Sequence, residues 1–133
     1  MRIVFDIETD GLLDEMTKVH VFSWSVVGSG VTSSTSDLVA MRKVFSQATT
    51  LIGHNIVQFD LPALARFCIT PDTSVAIIDT LALSWYLEAD RARHGLAYWG
   101  DSLGIEKPAI SDWTSLGYDE YRDRCEADVS INM

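Results

Sequence analysis

The sequence predicts an α/β fold in which five strands form a sheet of mixed direction with flanking helices. Three strand-like segments come first and later strands alternate with helices, an order typical of such a sheet. Of the 133 residues, 47% are apolar, which is enough to bury one hydrophobic core. No segment repeats or has low complexity, so we expect a single domain covering residues 1–133.

Strands are indicated by β-forming residues and by alternating polarity. Arg2–Glu8 is rich in β-formers and is typical of a buried strand. Lys18–Val27 alternates, and a turn through Gly28–Gly30 follows it. The other strands are predicted at Val31–Ser36, at the sheet edge, at Thr50–His54 and at Val75–Ile78.

Capping residues and apolar spacing predict five helices. Asp37 is an expected N-cap for a helix that runs to about Gln47, and Asp79 or Thr80 caps the helix Leu81–Glu88. The other helices are predicted at about Leu61–Cys68, at His94–Leu103 before Gly104, and from Tyr118 to the end of the chain. Glu106–Gly117 contains a proline and has no clear period, so it is predicted to be a loop.

The charge balance is strongly acidic, with 10 Lys and Arg against 19 Asp and Glu and a net charge of −9. Such a surface binds the duplex backbone poorly, because that affinity comes from cationic groups that neutralise phosphates. A histone-like or basic-arm DNA binder is therefore excluded. A protein that contacts phosphates through divalent metal ions is not, since the ions reverse the local charge.

Nothing in the sequence indicates a membrane or secreted protein. No apolar run approaches the length of a membrane helix, and the N-terminus lacks a signal-peptide layout. Cys68 and Cys125 have no zinc or redox spacing. We therefore expect a soluble, cytoplasmic protein with no membrane partner.

The first strand ends in two carboxylates, Asp6 and Glu8. Alternate strand residues point to one face, so these groups are expected roughly 7 Å apart on the same side of the sheet. Neighbouring carboxylates repel each other unless a cation lies between them, and oxygen ligands suit Mg²⁺ or Mn²⁺. The alternative explanation is a strand that turns acidic as it reaches solvent.

Two more acidic residues lie further along the chain. Asp60 ends the segment Gly53–Asp60 and begins the next helix, while Asp128 lies on the last helix. Taken alone, Asp60 is explained as a helix cap before Pro62, and Asp128 as part of a solvated helix face.

Together, these motifs resemble the DEDD superfamily of 3′–5′ exonucleases. The motifs are Asp6-x-Glu8, then Asn55-x-x-x-Phe59-Asp60, then Asp128. The chain is most similar to the proofreading exonuclease domain of bacteriophage family A DNA polymerases. That likeness rests also on Pro62-Ala63-Leu64, Ile78-Asp79-Thr80-Leu81 and His94-Gly95-Leu96, and covers nearly the whole chain.

The resemblance implies a ribonuclease H-like fold and a metal-dependent nuclease. The implied catalytic and metal-binding carboxylates, which hold two divalent ions (Mg²⁺ or Mn²⁺), are Asp6, Glu8, Asp60 and Asp128. The implied substrate is the 3′ end of single-stranded DNA, and the product is a nucleoside 5′-monophosphate. The implied substrate contacts are Thr9, Leu12, Asn55, Phe59 and Arg124, with core packing as the alternative for Leu12 and Phe59. A separately encoded polymerase subunit is a candidate partner.

The chain departs from the family pattern near Asp128. The family places a tyrosine four residues before this aspartate, or a histidine five before it, to orient water. These positions hold Arg124 and Asp123. Because arginine stays protonated, Arg124 is no general base. We expect it either to stabilise charge on the substrate or to pair with a carboxylate, and we expect slow turnover. The domain is also expected to be C-terminally short, because the family's helix usually runs on for about two more turns after this aspartate, whereas the sequence here stops at Met133, five residues later.

Several alternatives remain open at this stage. The substrate is RNA in one of them, since no residue here distinguishes the 2′-hydroxyl group. In another, the chain is a weak or silent relative that binds a nucleic-acid end or a protein partner. A third, based on charge alone, is an acidic decoy for DNA-binding proteins. The histidines His20, His54 and His94 are expected to be structural or exposed, and the tryptophans Trp24, Trp85, Trp99 and Trp113 are expected in the core.

Overall fold

The computed structural model describes residues 1–133 and contains five strands and five helices. The strands are β1 (Arg2–Thr9), β2 (Val19–Val26), β3 (Thr32–Thr35), β4 (Thr50–Gly53) and β5 (Ala76–Asp79). The helices are α1 (Leu38–Ser46), α2 (Asp60–Ala65), α3 (Thr80–Leu87), α4 (Leu96–Leu103) and α5 (Tyr118–Asn132). None of these helices has the length and apolar character that crossing a membrane requires.

The strands form one sheet in the order β3-β2-β1-β4-β5. The pairs β1–β2 and β2–β3 are antiparallel, whereas β1–β4 and β4–β5 are parallel. The predicted mixed sheet with flanking helices is therefore confirmed, and its type is ribonuclease H-like. Because β1, β4 and β5 run the same way, their carboxyl ends meet at one edge of the sheet, where α/β folds commonly place their sites.

Alternation along β1 sends its residues to two different faces of the sheet. Ile3, Phe5 and Ile7 belong to the main core, which α1 and α2 cover. On the opposite face, Val4 packs with Val129 of α5. Asp6 and Glu8 share the face of Val4, so the helix that carries Asp128 covers them.

Two helices are shorter than predicted. α2 ends at Ala65 instead of continuing to Cys68, which has a left-handed backbone with φ 56° that a helix cannot include. α4 begins at Leu96 because Gly95 is its N-cap, and the preceding His94 is buried.

The prediction that the tryptophans lie in the core is wrong for Trp85 and Trp113, which are 57% and 49% exposed. Aliphatic and phenylalanine side chains fill the core instead. Trp85 covers the imidazole of His94, with 3.7 Å between the ring centroids. An indole ring is amphipathic, so a half-exposed position suits it.

Candidate active site

Three of the predicted carboxylates converge between β1 and α5. Asp6, Glu8 and Asp128 each offer an oxygen, and these oxygens lie within 4.8 Å of one another. The packing of Val129 against β1 fixes the helix here, and Cys125 Sγ donates a hydrogen bond of 3.2 Å to the Asp6 carbonyl. The same-face arrangement predicted for Asp6 and Glu8 is thus present, and α5 supplies the third group.

Asp60, the fourth predicted carboxylate, is the first residue of α2 and is buried. Its Oδ1 accepts a hydrogen bond of 3.2 Å from the backbone N–H of Ile7, which ties α2 to β1. It lines a cavity of about 320 Å³ together with the other three carboxylates. Asp60 therefore faces the same space but lies outside the tight cluster of three.

Burial makes these carboxylates difficult to ionise. Burial, reinforced by the charges of Asp60, Asp128 and Glu8, raises the pKa of Asp6 well above its usual range. Burial raises the pKa of Glu8 to about 7, although Arg124 opposes this shift. Burial also raises the pKa of Asp60 to about 8. A nearby cation would favour the ionised form of every group in the cluster.

Two carboxylate oxygens in the cluster have no partner. Asp6 Oδ2 and Asp128 Oδ1 are both buried and form no hydrogen bond. A buried acceptor without a partner is costly, and a divalent ion would satisfy both oxygens at once. An all-oxygen donor set suits Mg²⁺ or Mn²⁺. The residues thus fit such an ion, with Asp6, Glu8 and Asp128 as its ligands.

Two cationic side chains enter the same cavity. Lys107 Nζ lies 2.6 Å from Asp128 Oδ2, and Arg124 Nε lies 3.5 Å from Glu8 Oε1. Of the two roles expected for Arg124, the pairing with a carboxylate is the one present in this geometry. Sequence reasoning missed Lys107, because a lysine in an aperiodic segment carries no signal of its position.

Arg124 is also held from its other side. It donates a hydrogen bond of 2.8 Å to the carbonyl of Pro108, and its guanidinium lies 4.9 Å from the ring centroid of Trp113. Arg124 therefore fastens the segment between α4 and α5 to the site. Trp113 lines the cavity, a position that the core prediction overlooked.

The predicted substrate contacts are divided between the cavity and its surroundings. Asn55 and Phe59 line the cavity, and Phe59 also packs against the main core. Leu12 is 73% exposed, so core packing does not explain it. The hydroxyl of Thr9, at the end of β1, donates a hydrogen bond to the Gly11 carbonyl. Neither Thr9 nor Leu12 lines the cavity.

Asp79 acts as a cap, as expected. It accepts hydrogen bonds from the backbone N–H groups of Leu81, Asn55 and Val57 at 3.0, 2.9 and 3.1 Å. These contacts hold the loop in which Asn55 has a left-handed backbone, with φ 61°. His54 lines the cavity and its Nδ1 lies 3.0 Å from the Thr80 hydroxyl oxygen.

The sheet order and the carboxylates at the end of its central strand are features of a ribonuclease H-like fold, and solved nuclease structures share it. NrnC from Brucella melitensis bound to pGG matches with 22% identity and a TM-score of 0.73, over 98% of this chain and 67% of that one. The same protein with bound Mg²⁺ matches with 22% identity and a TM-score of 0.70, over 98% and 67% of the two chains.

A third structure, described as the apo form of the nuclease, matches with 18% identity and a TM-score of 0.68, over 98% of this chain and 69% of that one. No protein-family model and no curated protein matches the chain. At these identities the structural matches establish the fold.

Proposed function

We propose that residues 1–133 form a metal-dependent 3′–5′ exonuclease domain that removes nucleoside 5′-monophosphates from short single-stranded oligonucleotides. The observation that carries this proposal is the buried cluster of Asp6, Glu8 and Asp128, with its two unpaired oxygens. A buried acidic cluster is unfavourable for folding unless it binds cations. The ligation of metal ions that contact phosphate is a function that accounts for it.

RNA is the substrate class that we favour. A structural neighbour is bound to the oligonucleotide pGG, which supports a short nucleic-acid end as the ligand of this fold. The DNA proofreading activity implied by the sequence motifs is the second candidate, and a separate polymerase subunit would be its partner. The two candidates share the same metal-binding residues and differ in the sugar that the cavity accepts.

The side chains of the cavity suggest a division of roles. When bound, divalent ions would supply the positive charge that activates water and stabilises the leaving 3′ oxygen. An ion would be held by Asp6, Glu8 and Asp128. The fourth carboxylate of the cavity is Asp60, which the Ile7 N–H group holds in place. Phe59 offers a surface on which a terminal base can stack, an interaction worth ~1–3 kcal/mol per base.

The direct test is to incubate labelled RNA and DNA oligonucleotides with the protein in Mn²⁺, in Mg²⁺ and in EDTA. We expect stepwise loss of 3′ nucleotides with either metal and none in EDTA. Calorimetric titration should show Mn²⁺ binding that is lost or sharply weakened in Asp6→Ala. Asp90→Ala, which removes an exposed carboxylate, is the matched control. Cleavage and Mn²⁺ binding that survive Asp6→Ala would refute this site.

A weak or silent binding module is the second reading of the same geometry. Arg124 pairs with Glu8 at the position where the family places a water-orienting tyrosine or histidine. If the chain is a silent binding module, the oligonucleotide would bind in the presence of Mn²⁺ without being shortened, even at long incubation times. The assay above separates the two readings.

A further inference from the structure

Lys107 is the cation in closest contact with the acidic cluster. It belongs to residues 104–117 between α4 and α5, which form no helix or strand. Its Nζ lies 2.6 Å from Asp128 Oδ2, and the two side chains are 19% and 6% exposed. A largely buried ion pair thus occupies one oxygen of a proposed metal ligand, while the other oxygen, Oδ1, has no partner.

Arg124 and Lys107 are anchored to different extents. Arg124 is fixed by Glu8, by the Pro108 carbonyl and by the Trp113 ring. Lys107 carries its charge on a flexible four-carbon stem, and its ion pair with Asp128 is the contact that holds it. If one of the two cations leaves the cluster, the lysine can do so with less disruption.

A divalent ion and the Lys107 ammonium compete for the same charge. An ion held by Asp6, Glu8 and Asp128 would share Asp128 with the ammonium, and like charges at such distances repel each other strongly where solvent is scarce. The four carboxylates that line the cavity carry a total charge of −4 when ionised. Lys107 and Arg124 offset half of that charge. The ammonium therefore takes the place of positive charge that a metal ion would supply.

The displaced lysine would remain at a useful position. Lys107 lines the same cavity as Asn55 and Phe59, so a released ammonium stays beside the space that a nucleotide would fill. A chain with a net charge of −9 has few cations to offer a phosphate group, and a lysine binds phosphate as a point charge.

Resting on the proposed function, we propose that Lys107 is a displaceable cation. It neutralises Asp128 until a divalent ion binds there, and it then binds a phosphate group of the nucleic-acid strand. Residues 104–117 thereby link metal binding to the binding of the strand. Lys107 acts in this way as a substrate-positioning residue that the acidic motifs do not reveal.

The test compares Lys107→Gln with Lys43→Gln, which removes an exposed lysine of α1. Mn²⁺ affinity is measured by calorimetry. The affinity for a fluorescent single-stranded RNA is measured by anisotropy in Ca²⁺, with a gel to verify that the RNA stays intact. We expect Lys107→Gln to bind Mn²⁺ about tenfold more tightly and the RNA about tenfold more weakly, each a change of about 1.4 kcal/mol. Lys43→Gln should change neither affinity.

The two affinities must move in opposite directions. If Mn²⁺ affinity is unchanged or falls in Lys107→Gln, or if RNA affinity does not fall, the proposal is overturned. Lys107→Arg, which keeps the charge, should restore RNA binding, and its failure to do so in a folded protein would also count against the proposal. Failure of the proposed function would instead appear as absent metal-dependent cleavage by the unaltered chain.

Discussion

Arg124 lies where the family that this chain resembles places a water-orienting side chain. Its contacts here are with Glu8, with the Pro108 carbonyl and with the Trp113 ring. Its pairing with Glu8 opposes the rise in that carboxyl's pKa and competes with a metal ion for the same oxygen. A guanidinium cannot accept a proton from water. Arg124 accordingly offsets part of the negative charge of the cluster and, under the proposed function, would leave the attacking water without a positioning group.

Under the proposed function, the substitution Arg124→Tyr should therefore raise the rate of cleavage. We expect tighter Mn²⁺ binding and, at saturating Mn²⁺, a turnover rate at least about tenfold higher, with full general-base help worth roughly 10²–10⁴-fold. Arg122→Tyr is the control, because Arg122 belongs to the same helix but pairs with Asp119 and Asp123 and does not line the cavity. Because Arg124 also holds Pro108, the melting temperature of each variant has to be measured. Loss of activity in a folded Arg124→Tyr protein would show that the arginine itself is catalytic.

Sequence reasoning reached the acidic residues but not the cations around them. Asp6 and Glu8 were predictable because a strand alternates its side chains between two faces, and this requires no knowledge of the rest of the fold. Lys107 lies in a segment without periodicity, so only the completed structure brings it to Asp128. Leu12 and Phe59 could not be separated from core residues by composition, since burial depends on packing.

At the scale of elements, the loop that follows β4 depends on β5 and α3. Asp79 accepts three backbone hydrogen bonds, two from that loop and one from the first turn of α3. Gly53 is required at the end of β4, because a Cβ there would lie 2.7 Å from the Phe5 carbonyl oxygen. These contacts place Asn55 and Phe59 on the cavity wall.

We predict that Asp79→Ala lowers both stability and activity. Loss of a helix cap and of two loop hydrogen bonds should decrease the free energy of unfolding by about 1–3 kcal/mol. KM should rise more than kcat falls, because under the proposed function the loop lines the substrate cavity and no proposed metal ligand is removed. Denaturant unfolding and steady-state assays check this. Asp72→Ala, which breaks two hydrogen bonds to Ser74 in an exposed turn, should cost less and leave KM unchanged. Equal effects of the two substitutions would contradict the assigned role of Asp79.

Element order was predictable and element ends were not. The sequence of three strands followed by alternating strands and helices predicts a mixed sheet, because parallel neighbours need a crossover connection. The ends of α2 and α4 depend on backbone conformations at Cys68 and Gly95 that composition does not indicate. Trp85 and Trp113 were misplaced for a related reason, since aliphatic and phenylalanine side chains already fill the core.

At the scale of the whole molecule, the acidic charge limits which nucleic acids the proposed exonuclease can bind. A chain with a net charge of −9 gains little from contact with a duplex backbone, so binding should depend on the cavity and its metal ions. We predict faster degradation of a splayed 3′ terminus than of a paired one. A circular single strand of the same length should remain intact. Equal rates on paired and splayed ends, or cleavage of the circle, would contradict an exonuclease with a single-strand preference.

The buried carboxylates also make the stability of the whole molecule depend on pH and on metal. The pKa of Glu8 is raised from 4.5 to about 7 and that of Asp60 from 3.8 to about 8, mainly by burial. Between the pKa of such a group in the unfolded chain and its higher pKa in the folded chain, the folded chain binds more protons than the unfolded chain. The free energy of unfolding then falls as pH rises through this window, and the contribution of these groups is complete only below about pH 4.

In EDTA, the melting temperature should accordingly decrease between about pH 5.5 and pH 8. In excess Mn²⁺ the decrease should vanish or reverse, because the ion binds the ionised carboxylates and stabilises the folded state more at higher pH. Asp60→Asn should make the decrease in EDTA smaller, since it removes one of the carboxyl groups whose pKa burial raises, whereas Asp90→Asn at the surface should not. A melting temperature in EDTA that stays constant or rises over this interval would show that these carboxylates are not strained in the metal-free fold.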